Sequence, residues 1–257
     1  MDKSLFGSMW ESMQQNGYFS RHPHYQDYFG GTLSDEDKEL DNAILRLDFR
    51  SGHIEMPAPY SDTLERSVKR TESVWLGKMF DLPASGTVLD VGCGFGRSVA
   101  WLSQRYEQVI GTDISPAVID SARERFSNQK NIRFLVNESD RIPEEIAEGS
   151  IDLTYIFTVF QHIPRDFATS ILKSVERALT DDGIVIFNLL TNTNEHLDDG
   201  EFEQEWSIGY NQEQALEMLS RSNLAPLKIC TWSAPESGAG WLWIAAGKNS
   251  SQSSEIR

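Results

Sequence analysis

Basic residues are in short supply. The 257-residue chain carries 23 lysines and arginines against 39 aspartates and glutamates, a formal charge of -16. That balance has the wrong sign for a surface that must neutralise nucleic-acid phosphates or rest on an anionic membrane, and no basic stripe stands out. Cysteine is scarcer still. Cys93 and Cys230 are too few and too far apart for a disulfide framework or a thiolate metal site, which predicts a reducing compartment. No segment approaches the roughly 20 apolar residues that cross a bilayer. The start, "MDKSLFGSMWESMQQ", lacks the basic flank and unbroken apolar core of a secretory leader. These absences point to a cytoplasmic protein with neither membrane nor nucleic acid as partner. Internal repeats are missing too, so the length and 39% hydrophobic content bound the chain at one or two globular domains.

The first sixty residues mix aromatic, histidine and acidic positions, as in "NGYFSRHPHYQDYFGG". Behind Ser34, a ready N-cap, Leu40, Ile44 and Leu47 recur at helical spacing. A second helix is expected where Leu64, Val68, Trp75 and Met79 mark one face, although Thr71 and Glu72 interrupt its apolar character. From Gly86 the period changes. "TVLDVG", "QVIGTDI", "NIRFLV", "SIDLTYIFTV" and "GIVIFNLL" read as buried strands, with "RSVAWLSQRY", "SPAVIDSARERF" and "PRDFATSILKSVERALT" as helices among them. Such alternation predicts a parallel sheet covered on both faces. A polar insertion from Thr191 to Trp206 and the helix "NQEQALEMLSRSN" follow. Then come two strands, "LKICTW" and "GWLWIAAGK", whose linker "SAPESGA" suits an antiparallel hairpin. The last residues, 249–257, are too polar to pack and read as a disordered tail.

The densest signal is "VLDVGCGFGRSVAWL", with Gly92, Gly94 and Gly96 at the point where a strand should turn into a helix. Glycine there removes the Cβ atoms that would block a close approach and permits positive φ. The first helical turn would offer unpaired N–H groups at the carboxyl edge of the sheet, so a ligand can be held by backbone. A dinucleotide fingerprint would require glycine at position 97, where the chain has Arg97, expected to face solvent. Asp90 at the strand's end repels a pyrophosphate but attracts an ammonium group, which favours a ligand with an amino-acid end over a nicotinamide cofactor.

These residues resemble the first motif of the class I S-adenosylmethionine-dependent methyltransferases, and the resemblance runs from about Gly86 to Lys248. It implies a Rossmann-like, doubly wound, seven-stranded sheet, mostly parallel with an antiparallel C-terminal hairpin strand. Residues 61–248 would form that domain, and residues 1–60 a partly helical extension or lid. It further implies S-adenosylmethionine as cofactor, with Asp90, Gly92, Cys93, Gly94 and Gly96 around its methionine portion. Asp113, about twenty residues past the first glycine, would hold the ribose hydroxyls. Ile114 would flank the adenine, Glu138 and Ser139 its edge, and Phe157 and Thr158 the methionine end. The family often has Gly-Asp-Ala where this chain has Asn137, Glu138 and Ser139, a departure that weakens the adenine contact relative to the ribose contact.

Plainer roles stand beside these. Cys93 is expected to contribute backbone rather than a reactive thiol, since only Arg97 adjoins it among basic residues. Asp113 alone could cap the next helix, but Ser115 before Pro116 suits that place better. His162, just past the fourth strand, either packs or serves as general base, and Gln161 equally could meet the acceptor. His22 and His24 lack further ligands at useful spacing, so no metal is expected. Trp241 and Trp243 share a strand face and are assigned to the core. The expected activity is methyl transfer to an oxygen or nitrogen of a small-molecule acceptor. A protein that binds the cofactor for regulation or complex formation, without catalysis, is the alternative.

Overall fold

The computed structural model describes Ser8, Glu11, Ser12 and residues 33–56, 62–138, 140–191, 207–234 and 239–249. Most of the insertion, the C-terminal tail from residue 250, Ser139, His22 and His24 lie outside the described residues.

Two helices precede most of the sheet. Helix α1 (Asp35–Leu45) starts with a full capping box: the Ser34 side chain accepts from the Asp37 N–H, and the Asp37 carboxylate accepts from the Ser34 N–H. It is clamped to α2 (Asp62–Met79) by Arg70, whose guanidinium lies 2.8 Å from Asp41 and 3.3 Å from Asp37. Between the helices, β1 (His53–Glu55) has the burial pattern of a half-covered strand, with Ile54 enclosed and its neighbours exposed.

The remaining elements are β2 (Thr87–Val91), α3 (Arg97–Leu102), β3 (Gln108–Asp113), α4 (Pro116–Arg125), β4 (Ile132–Val136) and β5 (Ile151–Ile156). After a 3-10 turn over Phe160–His162 come α5 (Arg165–Ala178), β6 (Leu179–Leu190), α6 (Gln212–Arg221), β7 (Leu224–Ala234) and β8 (Ala239–Lys248). They build one eight-stranded sheet in the order β1-β7-β8-β6-β5-β2-β3-β4. All pairs are parallel except those made by β8 with β6 and β7. The expected doubly wound α/β class with an antiparallel closing hairpin is therefore the observed one.

The sheet has one strand more than the seven expected. The segment before residue 60 supplies it, because His53, Ile54 and Glu55 pair in parallel with Thr231, Trp232 and Ser233. Strand β6 also starts earlier than its apolar run. Leu179 pairs with Ile151 before the register shifts, and the bulge leaves Asp181 and Asp182 exposed.

Each sheet face has its own core. One gathers Val88, Tyr155, Ile186 and the aromatic group Phe49, Trp75, Trp232 and Trp243 beneath α1 and α2. The other packs Leu89, Ile156, Phe187 and Ile244 against α5 and α6. From β2 the chain winds one way to β3 and β4, then returns to β5 on the other side. The carboxyl ends of β2 and β5 thus flank a topological switch point, where an open α/β sheet leaves a crevice.

Candidate active site

The turn after β2 occupies that crevice, and most of its main chain is engaged inward. The N–H groups of Gly92 and Cys93 donate to the Thr112 carbonyl at 2.7 and 2.9 Å, and Gly96 N–H donates to the Cys93 carbonyl at 3.0 Å. The Gly94 N–H donates to Asp113 Oδ2, also at 3.0 Å. The unpaired N–H groups expected of the first helical turn belong to residues after these glycines. The N–H groups of Gly92, Cys93, Gly94 and Gly96 hold the turn to β3 and to itself, and what remains outward is space.

Gly92 and Gly94 serve different ends. At Gly92, φ is +75° and an added Cβ would lie 2.3 Å from Val159 Cγ2, so glycine is required by the fold. At Gly94, φ is +53° and nothing lies within 4 Å of an added Cβ. Packing does not require that glycine; its positive φ favours it, and the space over it is left open. Gly96 caps α3 in the left-handed conformation.

Asp113 ends β3 beside this space. Its Oδ2 accepts from Gly94, and its Oδ1 accepts from the Ser115 N–H at 3.0 Å. Burial pushes its carboxyl up, while the N–H groups of Ser115, Gly94 and Ile114 oppose the rise. Ser115 caps α4, as expected from Pro116, and its Oγ also donates to Glu11 Oε2 at 2.6 Å. A residue of the N-terminal segment thereby reaches the carboxyl end of β3, a contact that no sequence pattern signalled.

Asp90 lies below the turn and is 3% exposed, and its Oδ2 accepts no hydrogen bond. Its pKa is pushed up to about 8, first by burial and then by the Glu72 and Asp113 carboxylates, against the pull of Arg97. Arg97 does not face solvent as expected. Its side chain is 18% exposed and its Nη2 lies 3.5 Å from Glu72 Oε2, on α2. The break in α2's apolar face at Glu72 was the sequence signal for this pair. Cys93 is buried, and enclosure together with Asp90 and Asp113 pushes its thiol well above the usual range, so it stays protonated as expected of a backbone contributor.

The other wall comes from β5 and β6. Phe157 packs on Trp243 with ring centroids 4.8 Å apart, and Trp243 in turn stacks on Trp232 and meets Trp75 edge-on. Trp243 is core, as assigned from its strand position. Thr158 has φ +53°, unusual for a β-branched residue. That conformation is held by its N–H donating to Asn188 Oδ1 at 2.8 Å and its hydroxyl to the Phe157 carbonyl at 2.7 Å. Asn188, 2% exposed, is the polar residue in the apolar run "FNLL", a visible mark that the sequence reading passed over. Backbone strain of this kind gathers at functional sites.

His162 and Gln161 follow in the 3-10 turn. His162 is half-buried; Gln161 is 4% exposed and its Oε1 accepts no hydrogen bond. The Gln161 carbonyl accepts from the Ile208 N–H, and Tyr210 N–H donates to the Leu190 carbonyl, so the chain leaving the insertion is pinned beside the site. On the far side Glu138 is 66% exposed and pairs with Arg141 at 3.2 Å, whereas the Asp140 side chain is 14% exposed. Asp140 is the more enclosed carboxylate there. Among the described residues no cluster of histidine, cysteine and carboxylate suits a metal ion, and no helix is long and apolar enough to cross a membrane.

Residues 88–183 match the family model of a methyltransferase domain. The chain is 25% identical to methyltransferase GfsG of Streptomyces halstedii over 158 residues, 60% of this chain and 54% of that one. It is 30% identical over 130 residues to 2-methyl-6-phytyl-1,4-hydroquinone methyltransferase of Synechocystis, covering 49% of this chain and 40% of the relative. The chain thus spans about half the length of the curated relatives it matches. Magnesium protoporphyrin IX methyltransferase of Synechocystis with bound S-adenosylhomocysteine (SAH) has the same fold, with a TM-score of 0.60, 16% identity, and coverage of 96% of this chain and 100% of that one. The glycine turn, the acids at the ends of β2 and β3 and this sheet order thus accompany a methyltransferase-domain match over residues 88–183, and the chain is similar to class I S-adenosylmethionine-dependent methyltransferases in sequence and in fold.

Proposed function

We propose that the protein transfers the methyl group of S-adenosylmethionine to an oxygen or nitrogen of a small-molecule acceptor. The observation that carries the reading is Asp90, a carboxylate enclosed at the switch-point crevice with an oxygen that accepts no hydrogen bond. The ionised form of an acid so buried needs a cationic donor, and an amino-acid ammonium group supplies one. The open space over Gly94 fits the same ligand, since an added Cβ there would have no atom of the described residues within 4 Å.

Asp90 would hold the ammonium group and Asp113 the ribose hydroxyls, with Ile114 against the adenine. Asp113 reaches that task already oriented by two amides. Asp140 is better enclosed than Glu138 to serve the adenine edge, where the family resemblance also puts Ser139. Phe157 and Thr158 would border the methionine end. S-adenosylmethionine, when bound, supplies a sulfonium-activated methyl carbon open to in-line displacement. The protein's part is then to align a nucleophile, exclude water and accept a proton. For a hydroxyl acceptor His162 is the base and Gln161, with its open acceptor oxygen, orients the acceptor's own donor group. The acidic balance of the chain favours a small acceptor over RNA or DNA.

Calorimetry with S-adenosylmethionine, SAH and NADH tests the first step. Binding of the two sulfur nucleosides and not of NADH is expected; no affinity for either nucleoside would refute the assignment. Incubation with an acceptor panel should then yield SAH, and a cofactor-binding protein without catalysis would yield none. Turnover unchanged in His162→Asn would remove that residue as base.

A further inference from the structure

Four ionisable side chains from four elements meet beneath the glycine turn: Asp90 of β2, Glu72 of α2, Asp113 of β3 and Arg97 of α3. Arg97 is the cation that pulls on Asp90, yet it pairs with Glu72 at 3.5 Å, and among the described residues Asp90 makes no ion pair. An arginine beside a buried carboxylate gains most by closing on it, because fork-to-carboxylate hydrogen bonds are the strongest it can make. Something must hold it back. Glu72, 5% exposed, sits where the apolar face of α2 would otherwise continue, and burying a charge there is costly unless it has work to do.

We propose that Glu72 is a positioning residue for the ligand's amino-acid end: by holding the Arg97 guanidinium it prevents an internal Asp90–Arg97 pair and keeps Asp90 open to an ammonium group. This rests on the reading of Asp90 as the ammonium seat. Glu72 lies outside the region shared with the methyltransferase-domain model, which covers residues 88–183. A residue ahead of the matched domain therefore contributes to the cofactor site through charge. Asp113 is not part of the competition, since its oxygens are engaged by the N–H groups of Gly94 and Ser115.

Two probes separate this role from a merely structural one: SAH, which carries the amino-acid end, and 5′-methylthioadenosine, which keeps the nucleoside and thioether but lacks it. Titrated calorimetrically across pH 6 to 9 and compared on each variant's high-pH plateau, where Asp90 is ionised, Glu72→Gln is expected to bind SAH about tenfold or more weakly than the wild type while binding methylthioadenosine within about twofold. Arg97→Gln, alone or combined with Glu72→Gln, removes the competitor and is expected to bind SAH at least as tightly as wild type. Unchanged SAH affinity in Glu72→Gln, equal losses for both probes, or weakened SAH binding in Arg97→Gln would overturn the proposal. If Glu72→Gln does not fold, Arg97→Gln alone decides. Absence of SAH binding in the wild type would instead strike the ligand assignment itself.

Discussion

The protonation of Asp90 makes the first step of the proposed chemistry strongly pH-dependent. With a pKa of about 8 against 3.8 for a free aspartate, Asp90 carries its proton in most unliganded molecules at pH 7. A ligand's ammonium group selects the ionised form. Below the pKa, the apparent affinity for SAH should then rise about tenfold for each pH unit, because each unit multiplies the ionised fraction by that factor. Between pH 6 and 7 the ligand amine stays mostly charged, so the slope belongs to the protein. Binding at pH 7 should release close to ~0.9 proton, readable by repeating the titration in buffers of different ionisation enthalpy. Glu72, Arg97 and Asp113 face the same carboxyl and set where the transition falls. Asp90→Asn should weaken binding and flatten the profile. An SAH affinity that is constant from pH 5.5 to 7.5, with no proton released, would refute the argument.

The same shift has a cost for the unliganded fold. From pH 4 to 8 the folded state holds a proton that the unfolded chain has lost, so stability falls by about 1.4 kcal/mol per unit as pH rises and levels off above the folded pKa. Asp90→Asn should remove that slope in denaturant melts. Gly94→Ala is expected to cost only about 1–2 kcal/mol for its positive φ yet to abolish SAH binding, whereas Gly92→Ala, driven into Val159, loses stability outright. Trp75→Ala, which empties a 1% exposed position touching Phe49, Trp232 and Trp243, should destabilise by about 3–5 kcal/mol by thermal or urea unfolding. Asn188→Ala frees the Thr158 N–H; turnover should fall more than SAH affinity, and equal losses of both would count against its role in holding that residue.

Strands β2 to β6 were legible because a parallel strand covered on both faces must be apolar throughout, and five such runs alternate with helical periods. Asp113 was legible because an acid ending the second strand of the domain lands beside the glycine turn, and the structure ties the two with one hydrogen bond. Strand β1 was not. Three residues are too short to show a period of two, and what makes them a strand is the free edge of β7, supplied from far along the chain. Arg97 was misread for a related reason: its partner Glu72 lies on another helix, so nothing near it in sequence says that its charge is met inside. That the turn's own amides are taken inward was not legible either, because it depends on β3 running close enough for the Thr112 carbonyl to take two of them.

With the N–H groups of Gly92, Cys93, Gly94 and Gly96 engaged inside the protein, the proposed reading gives ligand recognition to something else. In this chain that something is charge, concentrated in side chains that cost stability to bury: Asp90 without a hydrogen bond on Oδ2, and Glu72 carrying its ion pair into the packed face of α2. Burying them raises the free energy of the empty fold and leaves that energy to be recovered when a cation arrives. The glycine turn then has a spatial function more than a hydrogen-bonding one. It clears the volume over Gly94 and lets β2 hand Asp90 to the crevice, while α2 and Glu11 bring the N-terminal segment onto the same edge of the sheet. With Asp90 as the proposed ammonium seat, a change in α2 should be felt first in the amino-acid half of the ligand.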